Sequence, residues 1–467
     1  MSEDLPSAQI AESVLDLIGN TPLVKLGRLA RAHGLHCTLV AKLETTNPGG
    51  SSKDRPALEM VLAAERDGLL QPGGTIVEPT SGNTGVGLAI VAAQRGYRCH
   101  FVTTDKVAPE KVDLLRAYGA DVTVCPVAVP PDHPDSYYST AERLVREIPG
   151  AYRPNQYANP ANPLSHEQTT GPEIWRQTAG RVTHFVAGAG TCGTITGVAR
   201  HLKRVNPAVQ VIAADPEGSV FSGGSGRPYL TEGVGEDFFP DAWDPSVIDQ
   251  VVACSDEESY LMARQVAREE GLLLGSSGGL AVAAAIKVGR DLSTDDMVVV
   301  LIPDSGRGYL SRVYNDEWMA TFGFLRECDL CVGAVLEARS EDLPALLYVN
   351  PEQTVREAVA LMRRTGVSQL PVCKNDPPFA AAEVSGAVDE LALMDAAFRD
   401  PSLLDTPVEK VMGPKLPTVG VGQPLSRVVE MLDRAPALLV LAGGRPVSVM
   451  TRTDVLSFLS PTGPAGA

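Results

Sequence analysis

Positive charge is scarce in this 467-residue chain: 40 Lys and Arg stand against 57 Asp and Glu, a formal net charge of −17. Gripping phosphodiester backbones needs clustered cations, so no nucleic-acid partner is expected. Long apolar runs are absent as well. A membrane helix needs about 20 apolar residues in succession; the longest candidate, Met297 to Ile302, reads as a buried strand, and no membrane partner is expected. Residues 1–15 carry Glu3, Asp4 and Glu12 but no basic segment followed by an apolar one, which argues against a secretory signal. The eight cysteines are scattered rather than gathered into a disulfide framework. Cys328 and Cys331 have C-x-x-C spacing, yet no second pair or nearby histidine completes a zinc site. They read as free thiols in a linker, and no metal is expected. The chain is expected to be cytoplasmic.

What is present is a globular composition, 44% hydrophobic and 21% charged, in a length that implies two or three domains. From Thr75 to Leu301 β-branched runs alternate with helical periodicity. Thr75–Glu78, Arg98–Thr103, Val122–Cys125, Thr183–Ala187, Val209–Ala214, Val247–Ala253 and Met297–Ile302 read as strands. Val86–Gln94, Pro109–Tyr118, Ile195–Lys203, Asp256–Glu270 and Leu280–Val288 read as helices, with Ser255 or Asp256 as an N-cap and Gly271 just past a C-terminus. Such alternation predicts an α/β core of parallel sheet covered on both faces, over residues 1–325 and divisible into two subdomains.

Residues 326–343 lack periodicity and read as a linker. Beyond them the chain repeats: Val349–Met362 matches Val419–Leu432 in apolar spacing at an offset of 70, and Gly386-Ala387-Val388 matches Ser448-Val449-Met450 at an offset of 62. This predicts two strand–helix–strand–strand–helix units, 344–400 and 401–467, that bury their faces together.

Four glycine-rich loops carry the chemistry. In Asn47-Pro48-Gly49-Gly50-Ser51-Ser52-Lys53, Ser51 or Ser52 is suited to cap a helix, leaving Lys53 in its first turn, where the dipole depresses its pKa. A neutral lysine is what bonding to a carbonyl cofactor requires; alone, it is equally an ordinary surface lysine. Thr80-Ser81-Gly82-Asn83-Thr84-Gly85 follows a strand and suits a carboxylate, or is simply a well-capped helix start. Gly188-Ala189-Gly190-Thr191-Cys192-Gly193-Thr194 contains G-x-G-x-x-G with Asp215 22 residues after Gly193, the dinucleotide spacing. From this loop alone a nicotinamide dehydrogenase and a single-phosphate site are both open. Gly275-Ser276-Ser277-Gly278-Gly279 is weak evidence by itself.

Together and in this order, preceded by Ile18-Gly19-Asn20-Thr21-Pro22-Leu23, the loops resemble the fold type II pyridoxal-phosphate enzymes, in particular the cysteine synthase/cystathionine β-synthase family. The resemblance runs from about Val14 to Phe324 and implies the tryptophan synthase β-like fold. It implies that Lys53 bonds pyridoxal 5'-phosphate, that Asn83 faces its ring hydroxyl, that Gly190, Thr191, Cys192, Gly193 and Thr194 hold its phosphate and that Ser277 faces its pyridine nitrogen. Thr80, Ser81, Gly82, Thr84 and Gln156 would receive the substrate carboxylate. Cys192 stands where the family has glycine; only its backbone amide is needed. A hydroxyl at the ring nitrogen makes a milder electron sink than a carboxylate, which favours β-replacement. Glu232-Gly233-Val234-Gly235-Glu236-Asp237-Phe238 resembles the segment of members that condense L-serine with L-homocysteine more than that of the sulfide-using members, although Glu236 replaces a tyrosine of many eukaryotic relatives. The alternative is an O-acetylserine or O-phosphoserine sulfhydrylase.

The tail resembles a pair of CBS domains, which bind adenosine-containing ligands. Thr451-Arg452-Thr453-Asp454 matches their ribose-gripping pattern, and Gln369, Thr451 and Asp454 are the candidate regulatory site, with S-adenosylmethionine a possible effector. The first repeat reads Asp389 to Met394 there and lacks the threonine, so one site is degraded. The alternative is a tail that only stabilises or oligomerises the enzyme. The resemblance implies a homo-oligomer, dimer or tetramer. The twenty residues before Thr21 hold no Cys or His, so no haem is expected.

Overall fold

The computed structural model describes residues 10–80, 82–105, 107, 109–126, 133–325, 330–339 and 346–459. The chain divides into two units: one of Met1–Gly223 with Thr231–Gly308, the other of Gly224–Leu230 with Tyr309–Ala467.

The first unit is α/β with two sheets. In chain order its strands are β1 (Leu23–Lys25), β2 (Thr38–Leu43), β3 (Thr75–Pro79), β4 (Arg98–Thr104), β5 (Asp121–Cys125), β6 (Ala151–Tyr152), β7 (His184–Gly188), β8 (Gln210–Pro216), β9 (Gln250–Cys254) and β10 (Met297–Ile302). The order β5-β4-β3-β6 makes one sheet and β1-β2-β10-β7-β8-β9 the other. Every pair is parallel except β1 with β2. The seven expected strands are all present. Val247 instead ends a 3-10 turn, Pro245–Val247, ahead of β9.

Helices cover both sheets, as their apolar faces require. On the smaller sheet Ile76 and Phe101 pack with Leu88, Val91 and Leu115 from the helices. On the larger, Phe185, Val211 and Val299 pack with Ile195, Val198 and Leu202. The helix Asp256–Glu270 has the bounds its sequence predicts. Ser255 accepts from the Glu258 N–H, the Glu258 carboxylate returns to the Ser255 N–H, and Gly271 stops the helix at φ +71°.

The second unit contains the repeat. Val355–Thr365 and Leu425–Leu432 are helices at the expected offset. The first repeat holds an antiparallel pair, β11 (Gln369–Cys373) and β12 (Val384–Asp389), with Val349 bridged to Val372 in parallel. The second holds β13 (Thr418–Gly420), parallel to β14 (Ala437–Ala442), which is antiparallel to β15 (Arg445–Thr451). Cys373 and Val384 pack with Ala437, Leu439 and Leu441, so the two repeats share a core.

Two segments differ from the sequence-based division. Within the expected linker, Val332–Glu337 is a helix whose Val332 and Val335 are buried beside Val419 and Val428; six residues are too short for periodicity to show. Cys328 lies outside the described residues. Residues 309–325, expected to end the first region, pack with the second unit: Phe322 joins the Leu439 cluster, and a Cβ on Gly420 would strike the Ala320 carbonyl.

Candidate active site

Both sheets of the first unit present strand-to-helix turns at the carboxyl ends of parallel strands, where open α/β sheets bind ligands. Thr80 and Gly82 join β3 to the helix Asn83–Arg95, and Ala189–Cys192 join β7 to the helix Gly193–Val205. Ser81 lies outside the described residues.

Lys53 sits at the N-cap of the helix Asp54–Arg66, one residue before the expected first turn. Neither serine caps in the expected way: the Lys53 N–H donates to Ser51 Oγ at 3.2 Å. The helix Asn83–Arg95 comes close here, because a Cβ on Gly87 would meet the Lys53 carbonyl at 3.0 Å and the Ala57 Cβ at 2.9 Å. The amine crosses to the other turn and donates to Thr191 Oγ1 at 3.0 Å. Burial lowers the Lys53 pKa, against the opposing pull of Cys192 and Glu236. Desolvation therefore favours the neutral amine.

The turn after β7 is built around amides. Cys192 holds φ +63° and its thiol donates to the Gly190 carbonyl at 3.0 Å. The helix bonding begins with Thr196 N–H to Cys192 O at 3.0 Å, which leaves the earlier N–H groups of the turn outside it. A Cβ on Gly190 would meet the Gly233 carbonyl at 2.8 Å, and one on Gly193 would collide with Asn162 Oδ1. Thr194 Oγ1 lies 3.2 Å from His166 Nε2; burial first, then Arg55, pushes that imidazole down to about 3, so it is neutral.

On the other side Thr84 Oγ1 donates to Gln156 Oε1 at 2.7 Å, and Asn83 Nδ2 donates to Asp304 Oδ2 at 2.8 Å. The Gly82 N–H lies 3.5 Å from Thr80 Oγ1. Ser277, 4% exposed, is in the first turn of the helix Ser276–Gly289.

Local patterns gave no sign of several supporting residues. Glu78, at the end of β3, accepts the N–H groups of Asn155 (2.9 Å) and Gln156 (3.1 Å), in a turn where Asn155 holds φ +52°. Burial pushes its carboxyl up to about 7. Behind Lys53, Arg55 bonds Glu44 at 2.7 Å and 2.8 Å and Glu173 at 2.7 Å and 2.8 Å, and Lys42 adds a 2.7 Å contact to Glu173. These four charges join β2, the lysine helix and the helix Thr170–Gln177. Glu236 is likewise pushed up to about 7 by burial and by Asp237, against Lys53 and a hydrogen bond from Tyr157.

Asp215 argues against the dinucleotide reading of the turn. It is fully buried and accepts the Ser222 N–H at 2.8 Å, so it faces its own loop rather than a ribose.

In the second unit Thr451 donates from both N–H (2.6 Å) and Oγ1 (2.7 Å) to Asp454 Oδ2. Arg339 takes the other oxygen, Oδ1, at 2.9 Å, and also reaches Ser448 Oγ (2.7 Å) and the Val449 carbonyl (2.8 Å). Gln369 lies on β11 in the first repeat and donates to Asp389 Oδ2, so it is tied up within that repeat. No helix among the described residues is long and apolar enough to cross a membrane.

Comparison with known proteins gives a consistent picture. Residues 14–304 match the model of the pyridoxal-phosphate dependent enzymes, and residues 341–377 and 408–461 match the CBS domain. The chain is 36% identical to the cystathionine beta-synthase of Apis mellifera, over 97% of this chain and 92% of that protein. It is 33% identical to that of Saccharomyces cerevisiae, over 98% and 100%, and 43% identical to that of Mus musculus, over 78% and 67%. Among solved structures, a hydrogen sulfide-producing enzyme of Fusobacterium nucleatum aligns with a TM-score of 0.62 at 35% identity, covering 65% of this chain and all of that one. O-ureido-L-serine synthase aligns with a TM-score of 0.61 at 40% identity, covering 67% and 99%.

Proposed function

The chain belongs to the pyridoxal-phosphate-dependent enzymes, in the cystathionine β-synthase family, and from that premise we propose how its own residues condense L-serine with L-homocysteine to L-cystathionine. The observation that carries the reading is the Lys53 amine, which reaches from the first glycine-rich turn to the Thr191 hydroxyl in the turn after β7.

The residues fit pyridoxal 5'-phosphate. The turn at 190–194 offers amides at a helix N-terminus, glycines that Cβ atoms would obstruct, and the Thr191 hydroxyl, which together suit a phosphate dianion. Lys53 supplies an amine whose pKa burial lowers, which favours the nucleophilic form. When bound, the cofactor supplies the electron sink that loosens the Cα proton and β-substituent of the amino acid. Asn83 and Ser277 would orient it, Ser277 with a hydroxyl that stabilises ring-nitrogen charge less than a carboxylate does.

The protein's own part is binding and proton transfer. Thr80, Ser81, Gly82 and Thr84, at the start of the helix Asn83–Arg95, would receive the substrate carboxylate together with Gln156, which Thr84 and Glu78 hold in place. Lys53 Nζ would accept the Cα proton of serine and return one to Cα of the product, and would assist departure of the hydroxyl.

The second reading is a sulfhydrylase, whose support is the lysine, 80–85 and 188–194 loops that the two readings share; the two solved structures above, a hydrogen sulfide-producing enzyme and O-ureido-L-serine synthase, align with about two thirds of this chain. The full-length relatives, whose alignment runs through the repeat, favour cystathionine formation. The tail would take an adenosine-containing effector at Thr451 and Asp454, S-adenosylmethionine being the candidate. Cytoplasmic location is supported by the seven described cysteines, all free thiols. A homo-oligomer, dimer or tetramer, is supported by Leu391, Met394 and Phe398, an apolar stripe 69%, 62% and 88% exposed. The test is reconstitution with pyridoxal 5'-phosphate followed by borohydride reduction, which should fix the cofactor on the peptide that contains Lys53.

A further inference from the structure

The two turns of the site are joined by one more side chain, that of Asn162. Asn162 lies in the first turn of the helix Ala161–Gln168 and is 1% exposed. Its Nδ2 donates to the Gln156 carbonyl at 2.7 Å and to Thr191 Oγ1 at 3.3 Å, so both amide hydrogens are used. One goes to the residue proposed to meet the substrate carboxylate, the other to a residue of the proposed phosphate turn.

The bond to Thr191 fixes the direction of a hydroxyl. Oγ1 accepts from Asn162 and from Lys53 Nζ (3.0 Å). A hydroxyl oxygen has two lone pairs, and with both filled its own hydrogen is left to donate. A phosphate is an acceptor, so this is the polarity the turn needs. Once Lys53 is engaged by the cofactor, Asn162 is the donor that remains to hold Thr191 in that sense. The Gln156 carbonyl is held at the same time, while its N–H is held by Glu78 and its Oε1 by Thr84.

Asn162 is also placed at some cost. Its Oδ1 is buried and has no hydrogen-bond partner among the described residues, a loss that a residue kept for packing alone would avoid. Gly193 leaves it room, since a Cβ there would collide with Oδ1.

We propose that Asn162 is a positioning residue that couples the substrate-carboxylate turn to the cofactor-phosphate turn through its shared Nδ2, so that its loss weakens the hold on both. This rests on the phosphate reading of the Gly190–Thr194 turn. The test compares wild type with Asn162→Ser, which is too short to reach either acceptor, and with Asn162→Asp, which keeps the shape but replaces the donor with an anion. Pyridoxal 5'-phosphate is titrated into each apoenzyme, the phosphorus resonance of the bound cofactor is recorded, KM for L-serine and kcat are measured separately, and melting of the apoenzyme gives stability. The expected result is a cofactor dissociation constant and a KM for serine that both rise about tenfold and a phosphorus resonance shifted from wild type, in an apoenzyme that melts somewhat lower but is still folded at the assay temperature. A variant with lowered melting but unchanged cofactor affinity, resonance and KM would make Asn162 merely structural and overturn the proposal. If Asn162→Ser does not fold, Asn162→Asp decides by the same readouts. A wild-type protein that binds no pyridoxal 5'-phosphate would overturn the underlying reading instead.

Discussion

Nζ of Lys53 lies 3.0 Å from Oγ1 of Thr191, 138 positions away in the chain. The contact brings the turn before the helix Asp54–Arg66 onto the turn after β7, and it joins the one amine of the proposed site to the loop proposed for phosphate. The proposed chemistry depends on this meeting, because neither turn by itself separates an anion site from a reactive lysine.

Lys53→Ala should leave the fold intact and remove turnover and covalent cofactor attachment together. The amine donates to a neutral hydroxyl, Thr191 Oγ1, so truncation deletes the nucleophile without breaking a charge network. Activity assays with calorimetric binding of an adenosine ligand check this: turnover at background with tail binding retained is the expected result.

Stability should fall as pH rises between about 4.5 and 7. The Glu78 carboxyl is pushed up to about 7 by burial, so the folded state holds a proton in this window that the unfolded chain has released. The stabilisation is fully present below the unfolded pKa and is lost as pH rises through the folded one. The effect is on the order of 3 kcal/mol for a group this buried. Glu78→Gln should make that part of the melting-temperature profile shallower, the remaining slope coming from Glu236 and Asp54, which burial also pushes up to about 7, while raising KM for serine because one of the Asn155 and Gln156 N–H groups loses its acceptor.

Much of this was legible in the sequence, and the gaps have physical causes. The helix Asp256–Glu270 declares both ends by local chemistry, a capping box at Ser255 and Glu258 and a left-handed glycine at 271. β10 declares itself as a short apolar run. The glycine-rich turns mark where strands hand over to helices. By contrast, β2 carries Lys42, which looks solvent-facing in the sequence and is buried because Glu173 waits 131 residues later. Asp304 became legible only when Asn83, 221 residues earlier, was found against it. Glu78 acts on backbone groups of a turn more than 70 residues away, and Asn162 on a hydroxyl 29 residues away, which no spacing rule reports.

Cys192 should be replaceable by a small residue but not by a branched one. Its backbone sits at φ +63°, a left-handed conformation that costs an ordinary residue about 1 kcal/mol and a β-branched one more. Cys192→Ala should bind pyridoxal 5'-phosphate within about twofold of wild type, and Cys192→Val should bind it distinctly more weakly, as read by titration of the two apoenzymes.

Arg339→Ala should tighten binding of an adenosine ligand to the tail. Arg339 holds Asp454 Oδ1 at 2.9 Å while Thr451 holds Oδ2, so a ribose hydroxyl must displace the guanidinium to use Oδ1. Asp454→Asn should abolish the same binding. Calorimetry with S-adenosylmethionine measures both; weaker binding by Arg339→Ala would mean that the arginine helps hold the ligand rather than competing with it.

The most direct test of the central claim is product analysis on the reconstituted enzyme. L-serine with L-homocysteine and, separately, O-acetylserine with sulfide are supplied at matched concentrations, and products are quantified by mass spectrometry for wild type and Lys53→Ala. Cystathionine as the dominant product of wild type, and no product above background from Lys53→Ala, is the predicted result. Cysteine alone, or turnover that survives loss of Lys53, would contradict it.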